Sequence, residues 1–123
     1  MQILKEEHNI AVVKSEKLVI TDTQSALDLM ATIRYEFETD KIIIDKSAIA
    51  EDFFVLSTGL AGDILQKFSN YRVMLAIVGD FSHYTSKPHT SKPLKDFIYE
   101  SNKGKSIYFA ATVDKAVEWL ARL

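Results

Sequence analysis

With 123 residues, 47% of them hydrophobic and 26% charged, the chain has the make-up of one soluble globular domain with a single core. A formal net charge of −2 leaves no basic face for nucleic acid and no polycationic segment for an anionic membrane. The absence of cysteine excludes disulfides, thiolate ligands and thiol nucleophiles. Met1 is followed by Gln-Ile-Leu-Lys-Glu-Glu, which is not a signal peptide, so one cytoplasmic domain over residues 1–123 is expected.

Residues 2–6 and 9–14 read as two short strands joined by a tight turn near His8-Asn9, and "KLVI" at 17–20 as a possible third. A helix is predicted from Thr21–Thr23 to about Glu38. Thr21 and Gln24 have capping-box spacing, and Ala26, Leu27, Met30, Ile33 and Phe37 recur at helical spacing. The chain then alternates. "KIIID" at 41–45 is an apolar strand, and "STGLAGDILQKF" places Leu60, Ile64, Leu65 and Phe68 on one helical face. "VMLAIV" at 73–78 is a second buried strand, far too short to span a bilayer. "SKPLKDFIYES" carries Leu94, Phe97 and Ile98 on one face, with Gly104 placed to end that region. "SIYFA" at 106–110 is a third strand. Thr112 then caps a last helix whose Val113, Ala116, Val117 and Leu120 point inward. Apolar strands alternating with amphipathic helices predict an α/β fold, a mixed sheet with a parallel core and an N-terminal antiparallel hairpin. The expected core joins Ile43, Leu65, Phe68, Leu75, Ile77, Phe97 and Val117.

The segment "YTSKPHTSKPLKDF" contains Thr-Ser-Lys-Pro twice, at Thr85–Pro88 and Thr90–Pro93. A helix begun at Ser86 would carry Pro93 in its interior, where proline deletes a hydrogen bond and clashes. The second copy therefore starts the helix, at Ser91 or Lys92, with Pro93 in its first turn. The first copy is left as extra loop, and a neutral duplication is the favoured reading. The alternative is an anion site. The loop follows a parallel strand, at the carboxyl edge where open α/β sheets place ligands, and it precedes a helix N-terminus. Lys87, Thr90, Ser91 and Lys92 would then serve a phosphate, beside Ser82 and His83.

The same edge carries the other candidates. Asp45 ends one strand and Asp80 the next, with Ser57, Thr58 and Gly59 opening the helix between them, and these groups converge if the two strands are neighbours. For each Asp, turn formation is the favoured reading; an N-cap role is sufficient for Thr58, and close packing for Gly59 and Gly62. His83 and His89 have no carboxylate at ligand spacing, so no metal is expected. "STGLAG" lacks the Gly-Lys-Ser/Thr ending of a P-loop, and no Ser sits in a Gly-x-Ser-x-Gly elbow. No cofactor or catalytic residue is assigned. Two classes remain: a non-enzymatic module binding a protein or small anionic ligand at this edge, which is favoured, and a small enzyme using Asp45, Asp80 and the 82–92 loop. The enzyme would require a deep pocket holding a strongly perturbed carboxylate.

"KIIIDKSAIAEDFF", "STGLAGDILQKFSNYRVMLAIVGDFS" and "YTSKPLKDFIYESNKGKSIYFAATVDKAVEWL", with one copy of the repeat set aside, together resemble the bacterial family called domain of unknown function 4180. The resemblance covers essentially the whole chain and implies no activity. Over about residues 10–123 the order of elements is also similar to STAS domains, the fold of sulfate-transporter and anti-sigma-factor-antagonist domains. In the bacterial antagonists an Asp-Ser-Ser/Thr-Gly-Leu segment opens a helix, and its first Ser is phosphorylated by a partner kinase. Ser57-Thr58-Gly59-Leu60 matches that segment, with Ser57 at the acceptor position and Leu56 in place of the Asp. The resemblance implies a STAS-like fold and a regulatory role through a protein partner.

Overall fold

The computed structural model describes residues 1–82 and 92–122. One five-stranded sheet runs in the order β1-β2-β3-β4-β5, with β1 at Gln2–Glu6, β2 at Ile10–Lys14, β3 at Lys41–Asp45, β4 at Met74–Val78 and β5 at Ile107–Ala110. β1 and β2 form the antiparallel hairpin, and every later pairing is parallel. The hairpin turn is one short 3-10 turn, Glu7–Asn9, in which His8 and Asn9 take left-handed φ values of 64° and 60°. Asn tolerates that region because its short polar side chain can bond locally. Among the described residues the helices include α1 (Thr23–Phe37), α2 (Leu60–Tyr71), α3 (Lys92–Lys103) and α4 (Val113–Ala121).

Residues 17–20 do not form a strand. Ile20 makes an isolated parallel bridge to Ile49, and the Val19 N–H donates to the Ala48 carbonyl at 2.7 Å. Helix α1 starts one residue later than a Thr21 cap requires. Its capping box is Asp22 with Ser25: the Asp22 carboxylate accepts the Ser25 N–H at 2.7 Å, and the Ser25 hydroxyl accepts the Asp22 N–H at 3.0 Å. Hydrogen bonding from Ser25, first from its backbone N–H and then from its hydroxyl, holds the Asp22 carboxyl below its ordinary range. Gln24, assigned to the box by spacing, instead donates to Asp28 one turn on. Three short 3-10 turns, Lys46–Ala48, Glu51–Phe54 and Leu56–Thr58, fill the stretch between β3 and α2.

The parallel strands read as continuous apolar runs because both sheet faces are covered. Side chains alternate along each strand, so Ile42, Ile44, Leu75, Ile77, Ile107 and Phe109 meet α1, α2 and α3 on one face. Ile43, Ala76, Val78 and Ala110 point to the other, where Ala116, Trp119 and Leu120 of α4 cover them. The single predicted core is therefore two. Ile43 lies on the opposite side of the sheet from Phe68, Leu75 and Ile77, as the strand period of two requires. Leu65, Phe97 and Val117 are half-buried at the margins. Val113, predicted to face inward, is exposed on the first turn of α4, while Trp119 takes the buried position. Thr112 caps α4 as expected, accepting the Lys115 N–H at 3.2 Å.

The carboxyl edge of the sheet and the turn before helix α2

Parallel pairing of β3 with β4 in the register Asp45↔Val78 sets the ends of both strands side by side. The chain crosses closely there. A Cβ built on Gly79 would stand 2.8 Å from the Lys46 Cβ, so the glycine is needed for lack of bulk. Asp45 and Asp80 are exposed, and each carboxylate holds a turn. Asp45 accepts from the Ser47 N–H at 2.9 Å and the Ser47 hydroxyl at 2.6 Å, and Asp80 accepts from the Ser82 N–H at 2.9 Å. These are the bonds by which Asp side chains close turns after strands.

Sequence reasoning passed over the groups that fill this edge. The Lys46 ammonium stands 5.9 Å from the ring centres of both Phe54 and Phe81 and 3.4 Å from the Asp80 carbonyl oxygen. Those distances permit cation–π attraction to both rings. Phe54 and Phe81 are tilted neighbours at 6.2 Å, and Phe81 meets Phe109 edge-to-face at 5.2 Å. The available signal was a lysine directly after a strand-terminal Asp, together with the doubled aromatic Phe53-Phe54. Phe53 is fully buried and packs edge-to-face on Phe54 at 5.1 Å. It anchors the 3-10 turn that carries Phe54 to the edge.

The next turn holds Ser57 and Thr58. The Thr58 hydroxyl lies 2.8 Å from the carbonyl oxygens of both Asp52 and Val55, and it accepts the Leu60 N–H at 3.2 Å. Thr58 thus ties this turn to the preceding one and to the first residue of α2. The N-cap position itself belongs to Gly59, with φ 79°, in the left-handed region that glycine enters without penalty. Nothing lies within 4 Å of a Cβ built on Gly59 or Gly62, so neither glycine serves close packing as expected. Ser57 is exposed, and its hydroxyl has no hydrogen-bond partner among the described residues.

The structure therefore places Asp45 and Asp80 at the ends of adjacent parallel strands, each in its own turn, and the Thr58 hydroxyl ties the Ser57–Gly59 turn to the Glu51–Phe54 turn. Helix α3 begins at Lys92, as the placement of Pro93 requires. His83, Lys87, Thr90 and Ser91, with the first Thr-Ser-Lys-Pro copy and the proposed Ser91 cap, lie outside the described residues, as does the Lys92 side chain. Among the described residues no three His, Asp or Glu side chains are grouped so as to hold a metal ion. Among them, too, no helix is long and apolar enough to cross a membrane.

No curated protein matches the chain. Among solved structures it is similar to a Thermotoga maritima protein described as a candidate anti-sigma factor antagonist, with 14% identity and a TM-score of 0.49 over 97% of this chain and 92% of that one. The model of the family described as domain of unknown function, DUF4180, matches residues 5–120, and the chain belongs to that family.

Proposed function

We propose that this chain is a non-enzymatic, STAS-like regulatory module. It acts by binding at the carboxyl edge of its sheet, with Ser57 as the position whose charge sets partner choice. The reading takes residues 1–123 as one domain working in the cytoplasm. The observation that carries it is the contrast within one turn. Thr58 is held by three hydrogen-bond contacts, while the adjacent Ser57 hydroxyl is exposed and supports nothing in the fold. A phosphate there would add roughly −1.5 to −2 charges. Helix α2 begins three residues on, at Leu60, and its N-terminus favours negative charge, so the modified domain would stay folded. The exposed Asp52 on the preceding turn already places a negative charge on this surface. A phosphate would deepen that character and weaken a contact with any acidic partner face. Asp45 and Asp80 support binding over catalysis, since both carboxylates are used in turns.

The test is partner retention by the immobilised chain and its Ser57→Ala and Ser57→Asp forms. The unaltered chain and Ser57→Ala should retain the same protein, because neither carries charge at the turn. Ser57→Asp should lose it or exchange it for another. Retention of the same proteins in equal amounts by all three forms would contradict the reading.

A further inference from the structure

The second edge of the sheet is β5. The Leu75 N–H donates to the Ser106 carbonyl at 2.8 Å, and the Gly79 N–H donates to the Ala110 carbonyl at 3.0 Å. In a parallel ladder each residue directs its N–H and C=O to one side, and successive residues alternate. Ser106, Tyr108 and Ala110 therefore bond toward β4, and the backbone of Phe109 faces off the sheet. Such an edge is a template for pairing with another chain. The local sequence favours that outcome, because no charged residue stands between Lys105 and Asp114, and Ile107, Tyr108 and Phe109 have high strand propensity.

In this fold the Phe109 edge is occupied. Asn102, in the last turn of α3, accepts the Phe109 N–H on Oδ1 at 2.8 Å and donates through Nδ2 to the Phe109 carbonyl at 3.2 Å. The carboxamide presents one acceptor and one donor in the places a neighbouring strand would. Helix α3 is held in position by Phe97, which packs edge-to-face on Phe109 at 6.2 Å, and by the buried Leu94 and Ile98. The opposite edge, β1, carries the exposed charged side chains Lys5 and Glu6, a different protection against the same hazard.

We propose that the Asn102 carboxamide is a lock on the β5 edge that keeps a second copy of this chain from adding its own β5 strand there. The second copy is the occupant the edge fits, since an uncharged, strand-forming segment meets its equal without burying a charge. The lock also leaves the ends of the strands, rather than their sides, for partner binding.

The experiment compares sedimentation velocity across a concentration series for the unaltered chain, Asn102→Ala and Asn102→Asp, with amide exchange followed at Phe109. Asn102→Ala should self-associate about tenfold or more tightly than the unaltered chain. Its Phe109 amide should exchange more slowly as concentration rises. Asn102→Asp keeps the acceptor for the Phe109 N–H and places a charge on the edge, so it should sediment as the unaltered chain does. A folded Asn102→Ala that sediments like the unaltered chain at every concentration would overturn the proposal. So would association that leaves Phe109 exchange independent of concentration. Should Asn102→Ala fail to fold, the unaltered chain still decides. Its Phe109 amide must exchange slowly although it points off the sheet, and fast exchange there would overturn the lock.

Discussion

Phe68 and Leu65 lie one turn apart on α2, and the packing assigns them different costs. Phe68 has no exposed surface and sits within the core between α2 and the sheet. Leu65 is half-buried and lines an open cavity of about 280 Å³ shared with Ser69, Phe97 and Gly104. Phe68→Ala leaves a void that the surrounding strands cannot close, and such deletions cost about 3–5 kcal/mol. Leu65→Ala removes three carbons, worth about 2.4 kcal/mol if fully buried at about 0.8 kcal/mol each. Part of that side chain already meets water, and the space left opens onto the existing cavity, so water fills it and the void penalty falls away. The expected loss is about 1–2 kcal/mol, below the 2–5 kcal/mol that a large core side chain costs. Urea melts of both variants, with a shared slope, measure the difference as a shift in midpoint. Equal losses within about 0.5 kcal/mol, or a Phe68→Ala loss under about 1.5 kcal/mol, would refute the division between core and margin.

Gly79→Ala should destabilise by about 1–3 kcal/mol in the same assay, because the added Cβ meets the Lys46 Cβ rather than a flexible chain end. An unchanged midpoint would mean that the strand ends part easily. Deleting Ser86–Thr90, or His89–Pro93, leaves one Thr-Ser-Lys-Pro start signal, and stability should change by less than about 1 kcal/mol. A loss of several kcal/mol would show that the first copy is built into the fold, and unchanged stability with lost partner binding would make the repeat a site. Asp22 has a folded-state pKa below its ordinary value, so its contribution is complete above the unfolded-state pKa and is lost as pH falls through the folded one. Asp22→Ala should therefore lower the thermal midpoint at neutral pH, and the gap from the unaltered chain should close on acidification below about pH 4. A gap that stays constant down to about pH 2 would remove the ionised cap from the account.

Periodicity made the sheet legible. The runs at 41–45, 73–78 and 106–110 could only be parallel strands covered on both faces, and the structure pairs them so. The same runs hid the division of the core. A strand buried on both faces has no polar alternation, so nothing in "KIIID" marks Ile43 as facing α4 while Ile42 and Ile44 face α1 and α2. Capping was legible in kind and displaced by one residue, since Thr21, Asp22 and Thr23 are all competent caps and only the entering backbone selects Asp22. Residues 46–58 were the least legible part. Three short 3-10 turns have no hydrophobic period, and their geometry is set by Phe53 in the core and by the Thr58 hydroxyl. At the edge, Asp45 and Asp80 could be located from strand ends, but their use in turns depends on where the Ser47 and Ser82 amides point.

The central claim concerns Ser57, and phosphopeptide mapping of the chain isolated from its own cells tests it most directly. The account predicts a phosphate on Ser57, on the exposed side of the turn before α2, and none on Thr58, whose hydroxyl is held by the carbonyls of Asp52 and Val55. A chain that binds its partner with Ser57 unmodified under every growth condition, and binds it equally as Ser57→Asp, would contradict it.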